Sequence, residues 1–74
     1  MIKVLITGGA GFIGSAVLRE LQMSDGYEVF VLDNLSVGKR QFIKIDDEHF
    51  FNVDILDKEL LDKLLKKINP NWLI

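Results

Sequence analysis

A glycine cluster near the amino terminus offers the clearest chemistry in this sequence. Gly8, Gly11 and Gly14 stand three residues apart, and Gly9 fills a further position between them. Glycine permits positive φ and lets a ligand approach the backbone closely, because no Cβ intervenes. A helix beginning at this point would have free N–H groups and the positive end of the helix dipole. Such a turn is suited to binding a pyrophosphate group.

The elements around the glycines indicate what kind of ligand the turn could bind. An apolar run from Ile2 to Thr7 predicts a buried parallel strand, and apolar residues at helical spacing predict a helix from Gly11 to Ser24. A second strand is predicted from Tyr27 to Leu32, with Asp33 at its carboxyl end. An acid about 20 residues beyond such a turn accepts hydrogen bonds from a ribose 2′-OH in dinucleotide-binding folds. The combination favours a dinucleotide site over an ordinary glycine turn.

Three motifs resemble those of a known family and occur in its order. They are Thr-Gly-x-x-Gly-x-x-Gly at 7–14, Leu-Asp-Asn-Leu-Ser at 32–36 and Asn-Val-Asp-Ile-Leu-Asp at 52–57. The sequence is similar to the extended branch of the short-chain dehydrogenase/reductase superfamily. Within that branch it most resembles the NAD-dependent sugar-nucleotide epimerases and dehydratases, such as the UDP-glucose 4-epimerases. The resemblance implies a Rossmann-like fold, NAD as cofactor and, in a complete enzyme, isomerase or lyase chemistry on a nucleotide sugar.

The phosphate end of the predicted cofactor site lies at the glycine turn. We expect Gly8 and Gly11, together with the backbone N–H groups of Phe12 and Ile13, to bind the pyrophosphate. Gly14 belongs to the same motif, and its missing side chain should allow the helix to pack closely. No metal site is predicted.

The adenosine end is predicted at the carboxyl ends of the second and third strands. Asp33 should bind the ribose. The resemblance implies that Asn34, Leu35 and Ser36 line the same end and that Asp54 and Ile55 flank the adenine ring. Asp54 can equally be read as a turn residue before a helix, so both interpretations stay open. The Asp33 carboxylate would repel a 2′-phosphate, which favours NAD over NADP. The basic residues Lys39 and Arg40 leave NADP open.

The elements that must position these residues form an alternating α/β pattern. A third strand is predicted from His49 to Val53, a helix from Lys58 to Lys67 with Asp57 as its N-cap, and a fourth strand beginning at Trp72. A distorted helix is expected between residues 35 and 48. Right-handed crossovers then give a partial Rossmann-like, doubly wound parallel sheet with strand order 3-2-1-4, truncated at strand four.

Further side chains receive structural interpretations. We expect Ile13, Ala16, Val17 and Leu21 to face the sheet, and Trp72 to lie in the core. His49 is the only histidine. It has no carboxylate partner at ligand spacing, and it is expected at the edge of the third strand. The acidic residues 46–48 are expected to form a solvated loop.

The catalytic pair of the similar family is missing from this sequence. Relatives use Tyr-x-x-x-Lys, whereas the single tyrosine, Tyr27, is followed four residues later by Val31. We therefore interpret residues 1–74 as the N-terminal part of an NAD(P)-binding Rossmann domain, without catalytic or substrate regions. One alternative is a non-catalytic dinucleotide sensor or adaptor. Another is a truncated fragment without independent function, which would self-associate through its uncovered sheet.

The composition excludes several other classes of protein. The 74 residues are 49% hydrophobic, which excludes a disordered tail, and a net charge of −2 gives no indication of nucleic-acid binding. No cysteine is present, so disulfides and thiolate metal sites are excluded. No apolar run is long enough to span a membrane, and no signal peptide is recognisable. These features predict a cytoplasmic protein.

Overall fold

The computed structural model of the protein describes residues 1–35 and 40–74, so Ser36 and Lys39 lie outside the described residues. Within these ranges the core is a parallel sheet with strand order β3-β2-β1-β4. The strands are β1 Ile2–Thr7, β2 Tyr27–Leu32, β3 Phe50–Phe51 and β4 Trp72–Leu73. The predicted order 3-2-1-4 is confirmed, and so is the partial Rossmann-like architecture.

Two helices connect the strands. Helix α1, Phe12–Met23, joins β1 to β2, and helix α2, Lys58–Ile68, joins β3 to β4. The Asp57 carboxylate accepts a hydrogen bond from Leu60 N at 3.2 Å, so the predicted N-cap of α2 is confirmed. At the other end Asn69 is left-handed, with φ of 50°, and its N–H donates to Leu65 O. No helix in the described part of the chain is long and apolar enough to cross a membrane.

Side chains of β1 alternate between two apolar cores, as the period of two in a strand requires. Val4 and Ile6 enter the core under α1, whereas Leu5 enters the core under α2. The buried members under α1 are Val4, Ile6, Ala10, Leu18, Val29, Val31 and Ile43. Those under α2 are Leu5, Leu32, Val53, Leu64 and Ile68. The central strands are therefore covered on both faces.

The buried face of α1 is rotated from the predicted one. Ile13 is 77% exposed, contrary to prediction, and Leu18 is fully buried. The face that packs on the sheet contains Leu18 together with Val17 and Leu21, and the last two were predicted to lie there. The close packing expected at Gly14 is confirmed, because a Cβ there would lie 2.2 Å from Gly8 O in the glycine turn.

The segment between β2 and β3 differs most from expectation. Two short 3-10 turns, Arg40–Phe42 and Asp47–His49, replace the single distorted helix. Strand β3 is shorter than the predicted His49–Val53. It begins one residue later because the Asp46 carboxylate caps the second turn, accepting from His49 N at 3.0 Å. The expectation that His49 lacks a carboxylate partner is wrong, since its ring contacts Asp46 and Glu28. Asp46 is thus engaged rather than simply solvated.

Trp72 is also more exposed than expected. The side chain is 46% exposed at the edge strand β4, and its ring centroid lies 5.6 Å from that of Tyr27. The prediction of a core position for Trp72 is therefore wrong. Its strand pairs with β1 through only Val4 and Leu5, so its outer side carries no neighbouring strand within the described sheet.

Candidate cofactor-binding site

The glycine turn connects β1 to α1 at the carboxyl edge of the sheet. Gly8 has a φ of +70°, a left-handed conformation that disfavours any residue with a Cβ. Its N–H donates to Leu32 O at 2.8 Å, and its carbonyl accepts from Gly11 N at 3.1 Å. The turn is therefore closed on itself and tied to the end of the neighbouring strand β2.

Packing within the chain requires the missing side chain at two of the other glycines of the turn but not at the third. A Cβ on Gly14 would lie 2.2 Å from Gly8 O, and a Cβ on Gly9 would lie 2.5 Å from Val31 Cγ1. Both positions are needed for packing within the chain. A Cβ on Gly11 would make only an ordinary 3.4 Å contact with Gly8 O. Since the fold does not require glycine at 11, its openness is available to a ligand.

An open pocket of about 430 Å³ lies against this turn and the start of α1. The first hydrogen bond of the helix runs from Ser15 N to Gly11 O at 2.9 Å. The N–H groups of Phe12, Ile13 and Gly14 therefore precede the helical ladder and have no acceptor within it. No acidic side chain occupies the first turn of α1. The pocket is lined by Ile6, Thr7, Gly8, Gly11, Phe12, Ile13, Gly14, Val17 and Ile74.

Asp33 links the glycine turn to the loop that follows β2. Its Oδ2 accepts a hydrogen bond from Ala10 N at 2.9 Å, and its Oδ1 accepts one from Leu35 N at 2.7 Å. The residue is only 7% exposed. A carboxylate oxygen has two acceptor positions, so each oxygen retains one for a further donor. The structure thus brings together the turn and the acid that the sequence singled out.

The neighbours of Asp33 are partly described. Asn34 is exposed, and Leu35 is left-handed, with φ of 61°, while its side chain packs against the core under α1. A left-handed leucine is costly and is held here by the hydrogen bond to Asp33. The predicted contact from Ser36 falls outside the described residues.

Asp54 and Ile55 lie in the turn between β3 and α2. The Asp54 carboxylate accepts from Leu56 N at 2.9 Å, and its carbonyl accepts from Asp57 N at 2.9 Å. Both Asp54 and Ile55 are exposed. Asp54 therefore shapes the entry to α2, a structural role that does not prevent a contact with a ligand.

Arg40 is engaged within the segment between β2 and β3. Its guanidinium donates to the carbonyl oxygens of Ile43 and Ile45 and pairs with Asp47 at 3.0 Å. It also lies 4.9 Å from the centre of the Phe50 ring. These contacts hold Arg40 in place as a structural residue, which weakens its candidacy as a partner for a 2′-phosphate.

Comparison with known proteins agrees with this geometry. The sequence profile of the NAD dependent epimerase/dehydratase family matches residues 4–74. The chain belongs to the NAD-dependent epimerase/dehydratase family. It spans about a fifth of the length of the curated relatives it matches.

Individual relatives of this epimerase/dehydratase-family chain include the UDP-glucose 4-epimerase of Bacillus subtilis. The two are 42% identical over 69 residues, covering 85% of this chain and 20% of the relative. The UDP-glucose 4-epimerase of Thermus thermophilus, solved in complex with NAD, superposes with a TM-score of 0.84 at 42% identity, covering 97% of this chain and 22% of that one. The Brucella ovis enzyme, also solved with NAD, gives a TM-score of 0.86 at 38% identity, with 99% and 22% covered.

The sequence does not reveal the roles of two residues in the glycine turn. Ala10 supplies the N–H that holds Asp33, and Gly9 leaves room for Val31. The excess glycine at position 9 was a usable signal, because neither dinucleotide-binding pattern requires it. The role of Ala10 has no signal in its residue type, since it acts through its backbone. In the described part of the chain, no group of three or more metal-ligating side chains is placed to hold a metal ion.

Proposed function

We propose that residues 1–74 form the N-terminal part of the NAD-binding domain of a sugar-nucleotide epimerase or dehydratase, and that they bind the ADP half of NAD. The observation that carries this proposal is the hydrogen bond from Ala10 N to Asp33 Oδ2 at 2.9 Å. It ties the glycine turn to the acid at the carboxyl edge of the sheet, the edge at which ligands of open α/β folds bind.

The chain's own residues would bind the two ends of the cofactor by different chemistry. Backbone N–H groups of Phe12 and Ile13, at the positive end of α1, would bind the diphosphate beside Gly8 and Gly11. The free acceptor positions of Asp33 would receive the ribose hydroxyls, with Asn34, Leu35 and Ser36 at the same end. Asp54 and Ile55 would flank the adenine.

The role of this chain is to bind and orient the cofactor. When bound, NAD supplies the hydride acceptor and donor for chemistry on a sugar hydroxyl. We assign no catalytic residue here, because Tyr27 lacks a lysine four residues later. The nucleotide-sugar substrate and its acid–base groups belong to the full-length members of the family.

Titration calorimetry of the 74-residue chain with NAD tests the proposal. We expect saturable binding in the micromolar range or tighter, and weaker binding of NADP because Asp33 repels its 2′-phosphate. Gly11→Ala should weaken NAD binding by at least about tenfold, or about 1.4 kcal/mol, since the new methyl group occupies the pocket. A flat titration with the folded wild-type chain would refute the proposal.

A matched glycine substitution separates ligand loss from misfolding. Gly26 follows α1 at its other end, and no atom lies within 4 Å of a Cβ built there. Gly26→Asn, which tolerates positive φ, should leave the affinity for NAD unchanged. Equal loss of affinity in Gly26→Asn and Gly11→Ala would show that the effect does not come from the pocket.

Self-association is part of the same proposal. Within the sheet formed by residues 1–35 and 40–74, the outer side of β4 is an unpaired strand edge, and Trp72, Leu73 and Ile74 expose apolar surface beside it. Exposed edges of this kind pair with other chains. Sedimentation velocity over a wide concentration range should show a second copy binding, and Leu73→Lys should reduce this association. A monomer at every concentration would exclude it.

A cytoplasmic location is proposed for the complete protein. The chain contains no cysteine, which accords with a reducing compartment. Cell fractionation of the full-length protein tests this, and recovery in the membrane or secreted fraction would contradict it.

A further inference from the structure

The histidine at the end of the second 3-10 turn bridges two carboxylates from different parts of the chain. His49 Nδ1 lies 2.6 Å from Asp46 Oδ1, and His49 Nε2 lies 3.0 Å from Glu28 Oε2. Asp46 precedes the turn, whereas Glu28 lies on strand β2. The ring also packs on Phe30 of β2, with 4.7 Å between ring centroids.

The geometry requires a charged ring. Ionised carboxylates accept hydrogen bonds and cannot donate them, and a neutral imidazole has only one N–H. Both contacts can therefore be hydrogen bonds only when both ring nitrogens carry a proton. If the ring were neutral, one nitrogen lone pair would face a carboxylate oxygen and repel it.

Other charged groups lie around this cluster. The ring borders an open pocket of about 400 Å³, which is also lined by Lys44, Tyr27 and Met1 with its amino group. The neighbouring Asp47 pairs with Arg40. The His49 side chain is 25% exposed, so it can exchange its proton with solvent without unfolding.

The bridge lies where the crossover returns to the sheet. Strand β3 follows His49 directly and pairs with β2 over Val31–Phe50 and Leu32–Phe51. The Asp33 N–H then donates to Phe51 O at 3.0 Å. Since β3 has only two residues, few hydrogen bonds attach it, and the bridge from His49 to Glu28 adds a side-chain link between the two strands.

We propose that His49 is a pH-sensitive clamp, which holds strand β3 to β2 while its ring is charged and loosens that edge of the sheet when the ring is neutral. The inference does not depend on the proposed cofactor.

The direction of the pH dependence follows from the ring's partners. Hydrogen bonds to Glu28 and then Asp46 raise the pKa of His49 above its ordinary value of 6.5. A raised pKa in the folded state means that the clamp stabilises fully below the pKa of the unfolded chain. The stabilisation is lost as the pH rises through the higher pKa of the folded chain. The hydrogen bond from His49 also lowers the pKa of Asp46, so that carboxylate stays ionised in mildly acidic solution.

Two measurements on the full 74-residue chain test the clamp. Because His49 is the only histidine, the proton on its ring carbon Cε1 gives one unambiguous NMR signal whose titration can be followed directly. The amide of Asp33 reports on the β2–β3 edge, and the amide of Gly8, which donates to Leu32 O, reports on the β1–β2 side. The ratio of their hydrogen-exchange protection factors therefore isolates the attachment of β3.

The expected results distinguish a loosened attachment of β3 from a change in the stability of the whole chain. Raising the pH through the His49 titration should lower the Asp33-to-Gly8 protection ratio by about two- to fivefold, the range for part-exposed ion pairs. Glu28→Gln should lower the midpoint of the His49 titration and make the Asp33-to-Gly8 protection ratio nearly independent of pH. Glu20→Gln, which removes an exposed carboxylate from α1, should change neither. His49→Gln should give a low ratio at every pH.

Three outcomes would overturn the proposal. The ratio could stay constant through the titration of His49 in the wild-type chain. The ratio could also change with pH by the same factor in Glu28→Gln as in the wild-type chain, although the bridge to β2 is gone from that variant. The His49 midpoint could also fall below 6.5, the ordinary value, which would show that the two carboxylates do not hold the ring in its charged form. Because Glu28→Gln keeps the histidine, the test does not depend on His49→Gln folding.

Discussion

Replacing Gly14 by alanine tests most directly how closely helix α1 packs against the glycine turn. The new Cβ would lie 2.2 Å from Gly8 O and 2.9 Å from Gly9 Cα, both of them backbone atoms. The turn cannot move away freely, because Gly8 N is bonded to Leu32 O. Overpacking costs about 1–3 kcal/mol. Because the neighbours of the new Cβ are backbone atoms, we expect a destabilisation at the upper end, about 3 kcal/mol. Alanine regains about 1 kcal/mol of helix propensity, so the free energy of unfolding should fall by about 2 kcal/mol.

Urea unfolding followed by far-UV circular dichroism gives this quantity, and thermal unfolding should show a Tm lower by about 8–16 °C. Gly11→Ala is the matched control, since its Cβ would meet only Gly8 O, at 3.4 Å. It should cost about 0.5 kcal/mol, the preference of an N-cap for glycine over alanine. If Gly14→Ala were as stable as the wild-type chain or more so, helix propensity would outweigh packing. The close approach of α1 to the turn would then be wrong.

Two further substitutions probe the site and the last helix in the same unfolding assay. Asp33→Asn should cost about 2 kcal/mol, because its single amide oxygen replaces two carboxylate oxygens and the N–H of either Ala10 or Leu35 then faces an NH2 group, which cannot accept; an unchanged midpoint would mean that the carboxylate does not hold the turn. Asn69→Ala should cost about 1 kcal/mol because Asn69 is left-handed, and Asn69→Gly should be at least as stable as wild type. Equal stability of the alanine and glycine variants would contradict the left-handed cap.

Most of the sheet and both helices could be predicted because their signals are local. Strands β1 and β2 are largely apolar, with Lys3 and Glu28 near their starts, and their predicted bounds match the structure. Asp57 marks the start of α2 by its residue type alone. The pairing of the glycine turn with Asp33 also followed from sequence, since parallel strands bring their carboxyl ends to one edge of a sheet.

The segment between β2 and β3 could not be predicted because its contacts are not periodic. His49 reaches Glu28 across 21 residues, and Arg40 uses carbonyl groups, which every residue has. Leu18 was missed for a related reason. Ile13 and Leu18 are both apolar, and only the packing of α1 on the sheet decides that Leu18 is buried and Ile13 exposed.

The engagement of Arg40 sets a condition on any redesign of coenzyme preference. Its guanidinium holds Ile43, Ile45 and Asp47, so releasing it to meet an extra phosphate would dismantle the connection between two strands. Replacing Asp33 by a residue without a side-chain acceptor would remove the proposed repulsion, yet it would also leave the Ala10 N–H without its acceptor. A switch to the phosphorylated coenzyme would therefore need a cation introduced at a new position, together with a replacement acceptor for that amide.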